Sequence, residues 1–241
     1  MFPLAVLVAA VASGTIAAVA GFGIGSLLTP LLALEAGTKT AVAAVAVPHL
    51  VGTALRFWRL RTHVHRRLLW SFGLTSAAGG LVGALLHARA TGPALATVFG
   101  LLLVFAGASQ ATGTAARWRF HGSLAWAAGA VSGFFGGLVG NQGGIRAAAM
   151  LGFSVTRDQF VATATAVALL VDLARMPVYL AVEGEAVLAM WPLVAVATAG
   201  VALGTFAGGW VLSAIPEPVF RRAVGVLVFL LGVAVLVRGR G

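Results

Sequence analysis

Apolar runs long enough to cross a lipid bilayer fill almost the whole chain, and that one feature excludes most folds. They lie at 3–20, 25–34, 40–57, 68–87, 92–111, 123–140, 144–153, 159–177, 186–212 and 219–237. Roughly 20 apolar residues in a helix span the ~30 Å hydrocarbon core. No water reaches backbone N–H and C=O groups there, so such runs must fold as helices that satisfy themselves internally. The expected fold is an all-α polytopic membrane protein, with residues 1–241 forming a single membrane domain.

Composition agrees: 60% of residues are hydrophobic and 9% charged, more apolar surface than a soluble core can hide. The net charge is +10, but the arginines punctuate apolar runs and form no basic stripe. They therefore read as membrane topology, and no nucleic-acid partner is expected. Absence of cysteine excludes disulfides, thiolate catalysis and Cys-ligated metal. No H-E-x-x-H motif is present either, so no metal or cofactor is expected. The N-terminus has an apolar core and small residues at Ala18, Val19 and Ala20, yet lacks the basic n-region of a signal peptide. It is expected to remain as the first helix, the more so because it has a counterpart later in the chain.

That counterpart belongs to an internal duplication. An offset of 119 residues aligns Ser13 to Phe57 with Ser132 to Met176 without a gap, matching Ser13-Gly14 with Ser132-Gly133, Gly21 with Gly140, Gly25 with Gly144 and Arg56 with Arg175. The repeats run over 3–111 and 123–237, joined by the basic linker 112–122, which carries Arg117 and Arg119. Arg56, Arg59, Arg61, Arg66 and Arg67 form the strongest positive-inside signal, and the linker falls on the same, cytoplasmic side. Glu183 to Glu185 reads as a loop on the opposite face. The halves are then inverted if each glycine-broken segment is re-entrant, and parallel if each is one broken span. Inversion keeps Arg157, Arg221 and Arg222 inside with Lys39, Arg89, Arg238 and Arg240 outside, and paired broken helices in inverted repeats are a recurring transporter plan. Each half thus holds a Gly-broken re-entrant or discontinuous helix and about three transmembrane helices, in a multi-pass inner-membrane protein.

The short runs Ser26 to Leu34 and Ile145 to Phe153 are half-spans that each follow a glycine cluster: Gly21, Gly23 and Gly25, then Gly140, Gly143 and Gly144. Non-helical backbone at membrane depth must be buried in protein or line a wet cavity. A helix starting there offers free N–H groups and the positive end of its dipole to an anion. Glycines elsewhere, among them Gly79, Gly80, Gly83, Gly204 and Gly208, read as close helix packing.

Around the second break, Asn141 and Gln142 supply amides that can donate to an oxyanion or cap backbone carbonyls. Arg146 stands in the first turn of its half-helix, against the dipole preference; it either meets an anion or snorkels to a headgroup. Thr163 and Thr165 either line a pore or back-bond to their helix. Asp172 and Arg175, three apart on one face, are expected to pair. With Arg56, and with His49 as a proton shuttle or a plain hydrogen-bonded residue, they are the gating or coupling candidates.

The paired signatures GFGIGSLLTPLLALEAG and GNQGGIRAAAMLGF, with the small-residue helices AAGGLVGALL and TAGVALGTFAGG, resemble the TauE/SafE family of sulfite and organosulfonate exporters over nearly the whole chain. The glycine triplet typical of the family is interrupted by Ile24 in the first half and replaced at Asn141 and Gln142 in the second. The resemblance implies export of a sulfur oxyanion or another small organic anion. The substrate-binding candidates are Gly23, Gly25, Asn141, Gln142, Gly143, Gly144, Arg146, Thr163 and Thr165. The expected partners are a small anion and the lipid bilayer, with a proton or other coupling ion and homo-oligomerisation as open alternatives. An intramembrane enzyme and a non-transporting scaffold are the competing classes. The nearest approach to a rhomboid-type G-x-S-G is Gly107, Ala108, Ser109, Gln110, which lacks the final glycine.

Overall fold

The computed structural model describes residues 1–21, 23–114, 122–141, 143–150, 153, 155–211 and 217–238. Within them the chain is helical, with no strand. The helices are α1 (Phe2–Ala20), α2 (Ile24–Leu60), α3 (Arg66–Leu68), α4 (Leu74–Arg89), α5 (Gly92–Thr112), α6 (Ser123–Val139), α7 (Gly143–Met150), α8 (Arg157–Ala189), α9 (Trp191–Val211) and α10 (Glu217–Arg238). Among the described residues six spans are long and apolar enough to cross a membrane. The linker is bounded by the end of α5 and the start of α6; its residues 115–121 lie outside the described set.

The break after the first half-span is present, and two departures from the sequence expectation have local causes. Runs 25–34 and 40–57 both fall within α2 but remain two helical pieces, because the backbone leaves the helix at Gly37 (φ 73°, ψ 162°), a positive-φ conformation that glycine adopts without the steric cost a Cβ would bring. A π-helical turn, Leu69–Gly73, joins α3 to α4. Glu183 to Glu185 is not a loop: α8 runs through it to Ala189. Glu183 is held there by Thr40, whose hydroxyl donates to Oε2 at 2.8 Å, and by Lys39 at 3.8 Å. These contacts satisfy the acid without breaking the helix.

The packing exchanges partners between the halves. α1 lies along α9, and α6, its counterpart, lies along α4. Both pairs run parallel: Gly200, Gly204 and Gly208 meet α1 at Leu7, Val11 and Thr15, while Gly129, Gly133 and Gly137 meet the preceding half at Phe72, Ser76 and Gly80. α5 and α10 pack antiparallel, Gly100 against Gly232 and Gly107 against Gly225. α2 and α8 also cross antiparallel: Lys39 and Thr40 reach Glu183, His49 reaches Asp172, and the His65 N–H reaches Thr163. At the α1–α9, α4–α6 and α5–α10 seams an added Cβ on most of the facing glycines would press into the partner's backbone. Lipid offers no hydrophobic drive between helices, so close small-residue contact carries the packing energy.

The crossing of α2 and α8 is the centre of the fold. A core of Ile24, Leu28, Leu32, Val42, Val45, Tyr179 and Val201 surrounds it, and nearly all of the buried charge is threaded through it.

Candidate functional site

Both half-helix breaks begin with the same cap. α1 ends on Gly21 (φ 77°, ψ 1°), whose N–H donates to the Ala17 carbonyl at 2.9 Å; α6 ends on Gly140 (φ 74°, ψ 9°), whose N–H donates to the Gly136 carbonyl at 3.1 Å. A left-handed C-terminal residue costs other L-residues energy that glycine does not pay. α2 then restarts after Gly23 with no side-chain cap, and α7 restarts at the buried Gly143. The breaks touch, since a Cβ on Gly25 would lie 2.5 Å from the Gly140 carbonyl oxygen. Gly144 falls in the first turn of α7; Gln142 lies outside the described residues.

One arginine from each repeat fastens each break. Arg56 Nη1 donates to the Ala17 carbonyl, and Arg175 Nη1 donates to the Gly136 carbonyl at 2.6 Å. Donors and acceptors alike are separated by 119 positions, the offset at which the sequence aligns with itself. Each cation sits at the negative end of the preceding helix, which favours it there. The surroundings then differ. Arg56 Nη2 donates to Thr53 Oγ1 at 3.2 Å, whereas at the position equivalent to Thr53 the second repeat has Asp172, 2.9 Å from Arg175 Nη2. Tyr179 adds a second tie to the second break, its hydroxyl donating to the Gly137 carbonyl at 2.6 Å.

His49 is not a lone histidine. Its Nδ1 lies 2.7 Å from Asp172 Oδ2 and 3.4 Å from Thr53 Oγ1. Asp172, fully buried, is thereby held between His49 of α2 and Arg175 of its own helix. The expected Asp172–Arg175 pair forms, and the third member comes from a residue 123 positions away.

Arg146 does not snorkel: it is 3% exposed. Its side chain reaches from the second break to the first, where Nη2 donates to the Gly21 carbonyl at 3.4 Å, and it feels the charges of Arg56 and Asp172. Its Nη1 has no acceptor, nor does Asn141 Nδ2 in the second break, nor the Nε atoms of Arg56 and Arg175. Buried donors without acceptors are rare in native proteins, and each calls for an explanation. Arg56, Arg146 and Arg175 against Asp172 leave the described buried charge at three positive and one negative. Such an excess is costly at membrane depth unless something negative joins it.

The two threonines stand apart from this cluster. The Thr163 hydroxyl accepts the His65 N–H at 2.9 Å, closing the α2–α3 connection, and the Thr165 hydroxyl donates to the Val161 carbonyl at 2.8 Å within α8. Tyr179, fully buried His87 and the unpartnered hydroxyl of Thr29 were not singled out by the sequence. Tyr179 could have been found as a single tyrosine one turn beyond Arg175; nothing local distinguishes Thr29 or His87. Among the described residues no group of His, Cys, Asp and Glu could hold a metal ion.

A family model described as Sulfite exporter TauE/SafE matches residues 6–235. Nothing matches among curated proteins or among solved structures. With the match covering nearly the whole chain and six helices suited to crossing a membrane, the chain belongs to the TauE/SafE family of sulfite exporters.

Proposed function

We propose that the chain exports a small oxyanion, sulfite or an organosulfonate, across the inner membrane, holding it where the two helix breaks meet. The observation that carries this reading is the set of acceptorless donors on Arg146, Asn141, Arg56 and Arg175 in a buried cluster with excess positive charge. An oxyanion supplies several acceptor oxygens and the missing negative charge in one group. Arginine's planar fork suits two oxygens of one anion, and the start of α2, which has no side-chain cap, adds backbone N–H groups. Gly25 lets the two breaks approach, since a Cβ there would meet the Gly140 carbonyl, and Gly23, Gly143 and Gly144 stand with it at the two helix restarts. Thr163 and Thr165 are not needed by this site. A transporter family is the setting for this reading, in preference to an intramembrane enzyme or a scaffold.

The test is flux of sulfite, methanesulfonate and sulfate from proteoliposomes containing the purified protein. Uptake or release of at least one, competed by the others, is expected; a chain that moves none of them while correctly folded would overturn the assignment.

We further infer that the repeats are inverted. Equivalent helices α5 and α10 pack antiparallel, as do α2 and α8, and membrane-spanning equivalents that run in opposite directions are what inversion requires. Single cysteines at Thr62 and at exposed Glu185 then face opposite sides. The cysteine-free chain gives no background to an impermeant thiol reagent applied to intact cells. Labelling at position 185 and not at 62 is expected, and equal labelling of both sites contradicts inversion.

A further inference from the structure

We propose that His49 Nε2 is a proton-binding site linked to the anion, so that each bound anion recruits a proton onto the His49–Asp172 pair; this rests on the anion reading above. The geometry fixes the tautomer. Asp172 lies 2.9 Å from Arg175 and is therefore ionised, and an ionised carboxylate only accepts. His49 Nδ1, 2.7 Å away, must carry the hydrogen in that bond. A further proton has one place to go, Nε2, leaving the ring positively charged with Nδ1–H still on Asp172.

The linkage follows from what surrounds the ring. From α2 it is faced by Thr53 and Arg56, and from α8 by Asp172 and Arg175. From α7, Arg146 acts on the same carboxylate. α9 approaches α2 at Gly52 with the uncharged Thr205. On α4, His87 is turned away, its Nδ1 on the Leu138 carbonyl and its ring against Tyr179. α5 has no ionisable side chain, and α10 carries Glu217, Arg221, Arg222 and Arg238 near its ends. A positive charge on His49 is thus opposed by guanidinium groups and favoured by Asp172. An anion among the same guanidinium groups removes the opposition, so proton and anion each raise the other's occupancy, as linkage demands. Protonated His49 also draws on Asp172 in competition with Arg175, which leaves Arg175 freer to face an anion.

The experiment uses methanesulfonate, the anion of a strong acid, which neither titrates between pH 5 and 8 nor crosses as a neutral acid. Proteoliposomes loaded with a pH dye should show protons moving with methanesulfonate in the wild type, and no protons per anion carried in His49→Asn, whose amide still donates to Asp172. Wild-type flux without proton movement, or proton movement that persists in His49→Asn, overturns the proposal. Absence of all anion flux in the wild type instead sinks the transport reading, so the two failures are distinguishable. If the variant carries too little to count, methanesulfonate binding by thermal shift decides. Affinity should rise about tenfold from pH 8 to pH 5.5 in the wild type, and stay flat in His49→Asn and His49→Gln. A flat wild-type profile, or a rise retained in the variants, contradicts the assignment.

Discussion

Asp172→Ala is expected to unfold the protein or leave it about 3–5 kcal/mol less stable, the usual cost of removing one partner from a buried ion pair. Asp172 is 0% exposed and holds His49 at 2.7 Å and Arg175 at 2.9 Å. Its removal leaves three buried arginines with no acid among the described buried residues, and frees Arg175, which fastens the second break at the Gly136 carbonyl. Asp172→Asn should fall between alanine and wild type, because the amide retains an acceptor for one neighbour and loses the charge. Thermal unfolding and size-exclusion profiles in detergent read the effect. Wild-type stability in Asp172→Ala would mean that the backbone carbonyls at the two breaks suffice to hold the arginines.

Arg146→Gln should do the opposite: leave the fold nearly unchanged and weaken anion binding by about 1.5–3 kcal/mol, roughly 10- to 150-fold, the range for a hydrogen bond to a charged group. Arg146 makes a single long bond, 3.4 Å to the Gly21 carbonyl, and its Nη1 has no partner in the protein. Little native structure is lost with it, and glutamine can still donate to Gly21. The residue also sits in the first turn of α7, where the helix dipole disfavours a cation. Arg146→Lys should recover only part of the affinity, since an ammonium cannot grip two oxygens as a planar fork does. Anion-dependent thermal shift and proteoliposome flux on the same preparations separate the possibilities. Unchanged flux in Arg146→Gln would remove this arginine from the site, and loss of folding would make it a structural tie between the two breaks.

The asymmetry between the repeats gives these two variants their different expected outcomes. Arg56 and Arg175 do the same job at Ala17 and Gly136, but only the second repeat adds a carboxylate and a tyrosine. The second break is held by Arg175, braced by Asp172, and by Tyr179, and the first by Arg56, braced by Thr53, and by the reach of Arg146. The side chains around the two breaks thus differ although the arginines that fasten them correspond at one sequence offset.

Local chemistry was legible in the chain by itself. Apolar length named the membrane helices, and the glycine clusters at 21–25 and 140–144 marked the breaks, because a left-handed cap or an abrupt helix start restricts which residue can stand there. The 119-residue offset pairs Arg56 with Arg175, and the three-residue spacing of Asp172 and Arg175 places them on one helical face. Glu183 to Glu185 was misread for a related reason: acidic residues around a glycine look like a loop until Lys39 and Thr40 are brought beside them. What only the tertiary structure decided is who meets whom across the halves. His49 finds Asp172, Arg146 finds Gly21, and Gly25 finds Gly140 through the register at which helices cross. That register is set by close contact of small residues along whole helix faces, a sum of many weak packing terms that leaves no mark on any single residue.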